Sequence, residues 1–240
     1  MAKRFLEVCV DGPQGVDACA MTAVDRIELC AALDVGGLTP SPGLIEYAGR
    51  LAPKVHGMVR PRSGDFVFDE DEIQVMCGDI TAMRRAGFGG VVIGVSDGQG
   101  GLNVDALATL IQAAGDLDVT LHRVVDTLVD PVSAVEIAAD LGIRRILSSG
   151  GAPRAVDGVD CLARMQQQSA GRVEIMAGSG VTAENLGEIA AQTGLHNFHG
   201  SCSSRSQPPK GADGFGFGGQ GFVITDPDKI ENMRKALDRL

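Results

Sequence analysis

The chain has 240 residues, of which 44% are hydrophobic, so it can bury a substantial core, and we expect one domain over residues 1–240. Its 31 acidic and 21 basic residues give a net charge of −10, which argues against nucleic acid or an anionic membrane as a partner. No apolar run approaches the ~18 residues that a membrane span needs. Glu7 and Asp11 come too early for a signal-peptide apolar region, so a cytoplasmic location is expected.

Eight apolar, β-branched segments alternate with segments of helical periodicity. The predicted strands lie near Phe5–Val10, Arg26–Ala31, Val55–Arg60, Gly90–Val95, Val119–Val124, Arg144–Ser149, Val173–Ala177 and His196–Ser201. The predicted helices include Asp69–Ala86, Val104–Ala114, Pro131–Leu141, Val159–Gln168, Thr182–Gln192 and a last helix from about Asp228 to Leu240.

This alternation predicts an α/β fold, a single closed (β/α)₈ TIM-like barrel, for which ~250 residues is typical. The alternative is an open doubly wound sheet, which usually has fewer strands and a glycine-rich first turn. The first turn here, Val10–Gly15, lacks the dinucleotide-binding spacing, so no nucleotide cofactor is expected.

The segment 203–221, rich in Gly, Ser and Pro, interrupts the alternation after the eighth strand. In a barrel it would lie beside the catalytic mouth. A connection of this length is either a mobile lid or a disordered excursion, and both interpretations stay open.

Acidic and thiol side chains share one face of each of the first two strands. Because side chains alternate across a strand, Glu7 lies on the same side as Cys9, and Glu28 on the same side as Cys30. Buried ionisable groups are unfavourable unless they pair or bind something. We therefore expect these faces to point into the barrel, toward the C-terminal strand ends where barrel active sites lie.

Six residues are candidates for catalysis: Glu7, Glu28, Arg60, His122, Asp126 and His199. Clusters of such groups often have perturbed pKa values and act as acids and bases. The alternative is a structural ion-pair network in which the two glutamates pair with Arg60 and Arg123. Asp126 could orient a neighbour or cap a helix.

Glycine- and serine-rich turns follow the sixth, seventh and eighth strands. In (β/α)₈ barrels the turns after strands seven and eight often bind phosphate through backbone N–H groups. Such turns are also common without a ligand. The predicted anion site comprises Arg62, Ser149, Gly150, Gly178, Ser179, Gly180 and Ser201.

Cys9 and Cys30 lie on consecutive strands, so a metal ion could bridge them. Two thiolates are too few for zinc, which takes about four ligands, but they suit Cu(I). Met58 or Cys202 could supply a further soft ligand.

A set of motifs is spread between about residues 5 and 202: Glu7-Val-Cys9, Asp25-Arg-Ile-Glu28-Leu-Cys30, Gly36-Gly-Leu-Thr-Pro40-Ser, Arg60-Pro-Arg62-Ser-Gly64-Asp65-Phe66, His122-Arg123 with Asp126, and Leu147-Ser-Ser149-Gly150. Together they resemble the CutC family, which is named for copper homeostasis. The resemblance implies a TIM-like barrel, a cytoplasmic location and a homodimer or higher homo-oligomer. It also implies a Cu(I)-binding role for Cys9 and Cys30, and no defined reaction.

The sequence therefore supports two alternative hypotheses about function. The first is copper homeostasis through Cu(I) bound by Cys9 and Cys30. The second is an enzyme acting on a small anionic or phosphorylated metabolite, because the polar set is larger than copper needs. A third, scaffold interpretation is less favoured, since burying many ionisable groups is a poor route to stability.

Overall fold

The computed structural model describes residues 4–206 and 223–240, and it contains a closed eight-stranded parallel barrel. Each strand pairs with the next in sequence, and β8 pairs with β1. The barrel strands are β1 (Phe5–Val10), β2 (Arg26–Leu29), β3 (Val55–Met58), β4 (Gly90–Ile93), β5 (Asp118–Leu121), β6 (Arg145–Ser148), β7 (Glu174–Ala177) and β8 (Asn197–Gly200). The predicted barrel is confirmed.

A helix follows each barrel strand. They are α1 (Pro13–Met21), α2 (Pro42–Gly49), α3 (Glu70–Arg85), α4 (Val104–Ala114), α5 (Ala134–Asp140), α6 (Val159–Ser169), α7 (Leu186–Thr193) and α8 (Pro227–Asp238). Local sequence explains where several begin: Asp69 and Glu72 form a capping box at α3, and Asp226 caps α8 ahead of a first-turn proline. Among the described residues, no helix has the length and apolar character of a membrane span.

The outward faces of the strands form the main hydrophobic core. Leu6, Val8, Ile27 and Leu29 are fully or almost fully buried and belong to one cluster with apolar helix residues such as Ile45. The inward faces are unusually polar for a barrel of this type, whose interior is ordinarily filled by branched apolar residues.

The segment after β8 begins with a short strand. Ser203–Arg205 forms β9, which pairs antiparallel with β10, Val223–Thr225, before α8 begins. The first three residues of the predicted 203–221 loop are therefore a strand. The lid and disorder alternatives concern residues 203–221, of which 207–221 lie outside the described residues.

Candidate active site at the barrel mouth

A cavity of about 680 Å³ opens at the C-terminal ends of the barrel strands. This end carries the active site in characterised TIM-barrel enzymes. The cavity combines ionisable side chains with apolar ones, and its lining includes Cys9, Glu28, Met58, Arg60, Phe66, His122, Arg123, Leu147, Ser179, Gly180, His199, Ser201, Lys229 and Met233.

Cys9, Glu28 and His199 meet on the cavity wall because of strand register. Cys9 is the β-partner of Glu28, and Glu7 is the β-partner of His199, so their side chains share the inward face. His199 Nε2 lies 3.0 Å from Glu28 Oε2. One ligand atom from each of Cys9, Glu28 and His199 lies within 4.8 Å of the others, and all three residues are buried.

The charges in this cluster are coupled. Burial alone would lower the pKa of His199, but the Cys9 sulfur and the Glu28 carboxylate raise it well above its ordinary value of 6.5. Burial raises the pKa of the Cys9 thiol above its ordinary value of 9.0, against the effect of His199. The pKa of the imidazole and that of the thiol are thus both raised, so each group holds its proton more tightly than a free side chain.

Cys30 does not join this cluster. Its Sγ lies 3.6 Å from Glu28 Oε2, and its side chain packs beside Met58. The backbone at Gly37, with a φ of +86°, passes so close that a Cβ there would lie 3.1 Å from Cys30 Sγ. The register places Glu28, not Cys30, opposite Cys9. The described residues that could hold a metal ion together are thus Cys9, Glu28 and His199, and the predicted pairing of Cys9 with Cys30 stays a prediction.

Glu7 lies deeper in the barrel than the cavity. Its carboxylate accepts a hydrogen bond from Arg26 Nε in a fully buried ion pair, not from Arg60 or Arg123 as the structural alternative expected. Burial opposes the charged form, but Arg26 and His199 lower the pKa of Glu7 to about 2. His199 Nε2 is 3.8 Å from Glu7 Oε1, so the Glu7 carboxylate lies next to the cluster on the side of the barrel interior.

Arg60 is a buried cation that also lines the cavity. Its guanidinium donates to the carbonyls of Val35, Gly37 and Gly64 at 2.9 to 3.3 Å. It also lies over the ring of Phe66, 4.8 Å from the ring centroid. Among residues 4–206 and 223–240, no carboxylate forms an ion pair with it, and its Nε is buried without an acceptor.

His122 lies beside the same aromatic ring. Its ring centroid is 4.9 Å from that of Phe66, and its Nδ1 accepts a hydrogen bond from the Val124 N–H at 3.1 Å. Burial and the charge of Arg60 lower the pKa of His122 to about 3, so the imidazole is neutral. The Nδ1 contact places the remaining proton on Nε2, which is buried and has no acceptor among the described residues.

The turn after β6 is stabilised by hydrogen bonds that involve Asp126, Ser149 and Gly150. Asp126 accepts hydrogen bonds from the Ser149 and Gly151 N–H groups and from Arg123 Nε. The Gly150 N–H donates to Ser148 Oγ at 2.8 Å. The donors that were expected to hold a ligand anion here are thus occupied by a carboxylate and a hydroxyl of the protein itself.

Arg62 turns away from the cavity. Its Nε donates to Glu72 at 2.5 Å, and its other nitrogens contact Asp65 and the Val67 carbonyl. The strand ends at Met58, so the alternation that aligned Arg62 with Arg60 no longer applies. The anion-binding role expected for Arg62 would require breaking two carboxylate contacts.

The turn after β7 forms part of the cavity wall. Ser179 and Gly180 line it, as does Ser201 after β8. The backbone at Gly178 lies close to the His199 imidazole: a Cβ at this position would be 3.2 Å from His199 Nδ1. The hydroxyl of Ser179 donates to the Pro153 carbonyl, and that of Ser201 contacts Ser203, so neither hydroxyl is unpaired.

Two features of the site were missing from the sequence interpretation. Arg26, the partner of Glu7, shares a strand face with Glu28, and the alternation of residues 26, 28 and 30 could have revealed it. Lys229 and Met233 of α8 also line the cavity. No motif marked them, since an outer helix reaches the mouth only through the three-dimensional fold.

Comparison with known proteins places these features in a family. A sequence profile of the CutC family matches residues 4–204. The family protein CutC of Rhizobium meliloti (strain 1021) is 44% identical over 240 residues, which are 99% of this chain and 98% of the relative. That of Caulobacter vibrioides (strain NA1000 / CB15N) is 44% identical over 233 residues, with 97% and 93% covered.

A solved structure agrees with this match. CutC from Streptococcus agalactiae, a protein assigned to copper homeostasis by name, has a TM-score of 0.78 and 28% sequence identity to this chain. The alignment covers 82% of this chain and 98% of that one.

Proposed function

The chain belongs to the CutC family, and we propose that it serves copper homeostasis by binding Cu(I) at the barrel mouth through Cys9 and His199. The observation that carries the proposal is the buried cluster of Cys9, Glu28 and His199, whose ligand atoms lie within 4.8 Å of one another. Family membership supplies the link to copper.

The donor chemistry fits the ion. Thiolate is a soft ligand that favours Cu(I), and imidazole binds copper well. Glu28 is a harder ligand, so its role would be to orient His199 and to balance charge, as carboxylates beside metal-binding histidines do. Zn²⁺ also accepts thiolate, imidazole and carboxylate, and it is the competing ion for the same donors.

Binding would release protons. The Cys9 thiol and the imidazolium of His199 must each lose a proton to become ligands. Burial holds the proton on the Cys9 thiol, and the Cys9 sulfur and Glu28 hold the proton on His199, so Cu(I) affinity should fall as the pH falls. In this proposal Cys30 is not a ligand, because its thiol lies outside the cluster of Cys9, Glu28 and His199.

The proposal is tested by titrating reduced, anaerobic protein with Cu(I) against a competing chelator. Wild type is expected to bind one ion, and the Cys9→Ser and His199→Ala variants are expected to lose at least tenfold in affinity. Cys30→Ser should bind as wild type does, and Cys161→Ser on α6 is the matched thiol control. Failure of wild type to bind, or equal binding by Cys9→Ser, would refute the proposal.

A cytoplasmic location and a homodimer or higher homo-oligomer are part of the proposal, and both come from the family resemblance. Light scattering on the purified protein tests the second. A molar mass equal to the 24.9 kDa monomer at micromolar concentration would contradict it.

A further inference from the structure

Arg60 and His122 form a set of donors that copper binding does not use. Arg60 is 5% exposed and His122 is 3% exposed, and both line the cavity. They are joined through Phe66, which contacts both the guanidinium and the imidazole. Neither has an ion-pair partner among the residues that the structure describes.

The donors of Arg60 can be counted. A guanidinium has five N–H groups. Three of its hydrogen bonds run to backbone carbonyls, of Val35, Gly37 and Gly64, which leaves two N–H groups, one of them on the buried Nε. Carbonyl oxygens satisfy hydrogen bonding but do not neutralise the charge. A buried cation without a counter-ion is unfavourable unless an anion binds beside it.

His122 adds a neutral donor to the same wall. The Val124 N–H occupies Nδ1, so the free donor is the Nε2–H, and it too has no acceptor among the described residues. Neither side chain offers a free acceptor. A site with donors alone selects a ligand that brings acceptors and negative charge.

We propose that the Arg60–His122 wall binds the ionised oxygens of a small metabolite, a carboxylate or a phosphate group. Glu28 is paired with His199, whose Nε2 lies 3.0 Å from Glu28 Oε2. The bound group would share one cavity with Cys9, Glu28 and His199. This site differs from the glycine-rich turns after β6 and β7, whose polar groups contact the protein itself.

The test uses metal-free protein at constant ionic strength, with inorganic phosphate and pyruvate as separate probes. Binding is followed by the NMR signals of the His122 imidazole and by calorimetry. Wild type is expected to bind at least one probe, and the tighter of the two identifies the preferred group. Arg60→Met and His122→Phe should each weaken binding at least tenfold.

Two controls guard against loss of folding and against a general charge effect. His122→Gln keeps a donor near the Nε2 position, so it should retain more affinity than His122→Phe. Arg154→Met removes an exposed arginine paired with Asp157 and should bind as wild type does. The assay contains no metal, so failure to bind either probe would leave the copper proposal untouched. No binding of either probe, or equal binding by all variants, would overturn the anion proposal.

Discussion

The Nε2 atom of His199 lies 3.0 Å from Oε2 of Glu28, although the two residues are 171 positions apart in the chain. They stand on β2 and β8, which both pair with β1 and not with each other. The contact between Glu28 and His199 therefore spans β1, which lies between the two strands. Closing the barrel assembles this pair, since an open sheet would leave the first and last strands at opposite edges.

The Glu28 carboxylate is one of the groups that hold a proton on His199. Burial alone would lower the pKa of His199, while Cys9 and Glu28 raise it. In Glu28→Gln we expect the pKa of His199 to fall, measured by NMR titration of the imidazole. Glu184→Gln changes an exposed carboxylate on the cavity rim and should leave it unchanged. An unaltered titration in Glu28→Gln would show that Glu28 has no such effect.

The Glu7–Arg26 ion pair is a structural part of the barrel interior. Removing one partner leaves an unpaired buried charge, which costs about 3–5 kcal/mol. Glu7→Gln and Arg26→Met should each lower the free energy of unfolding by an amount of that order, measured by chemical denaturation. The double variant should lose less than the sum of the two. Strict additivity would mean that the buried pair is not coupled.

His56 makes folding sensitive to acid. Burial, and then the charge of Arg26, lower its pKa from 6.5 to about 3. Between pH 6.5 and 3 the unfolded chain binds a proton that the native state does not. The free energy of unfolding therefore decreases as the pH is lowered through this window. The wild type should lose up to about 1.4 kcal/mol per pH unit relative to His56→Gln. Denaturation curves at several pH values measure this difference, and a constant difference would contradict the assignment.

The absence of a side chain at Gly94 leaves the space that the His122 imidazole occupies. A Cβ at this position would overlap the His122 imidazole and the Val124 side chain. Gly94→Ala is expected to cost about 1–3 kcal/mol of stability and to weaken phosphate or pyruvate binding by displacing the Nε2 donor. Gly43→Ala, which has open space around it, is the control and should change neither. Normal anion binding by Gly94→Ala would argue against His122 as a donor.

The barrel could be predicted from sequence because its signals are long and regular: eight apolar segments alternating with helices within the length of one barrel. Alternation also placed Glu28 and His199 on inward faces. It could not say which residue of β2 stands opposite Cys9, because that depends on strand register, and the register favours Glu28 over Cys30.

The orientation of the arginines also depends on three-dimensional detail. Arg62 was aligned with Arg60 by extending a strand that ends at Met58, after which the two-residue period no longer fixes a direction. That Arg60 has no ion-pair partner among the described residues is a property of the folded surroundings. No pattern along the chain shows that Asp65, close by in sequence, pairs with Arg62 instead.

The most direct test of the copper account is X-ray absorption spectroscopy of the Cu(I)-loaded protein, in wild type and in Cys30→Ser. The account predicts one sulfur ligand and one imidazole nitrogen, from Cys9 and His199, and an unchanged spectrum in Cys30→Ser. Two sulfur ligands without imidazole scattering, with loss of one sulfur in Cys30→Ser, would contradict it and restore the paired-cysteine site.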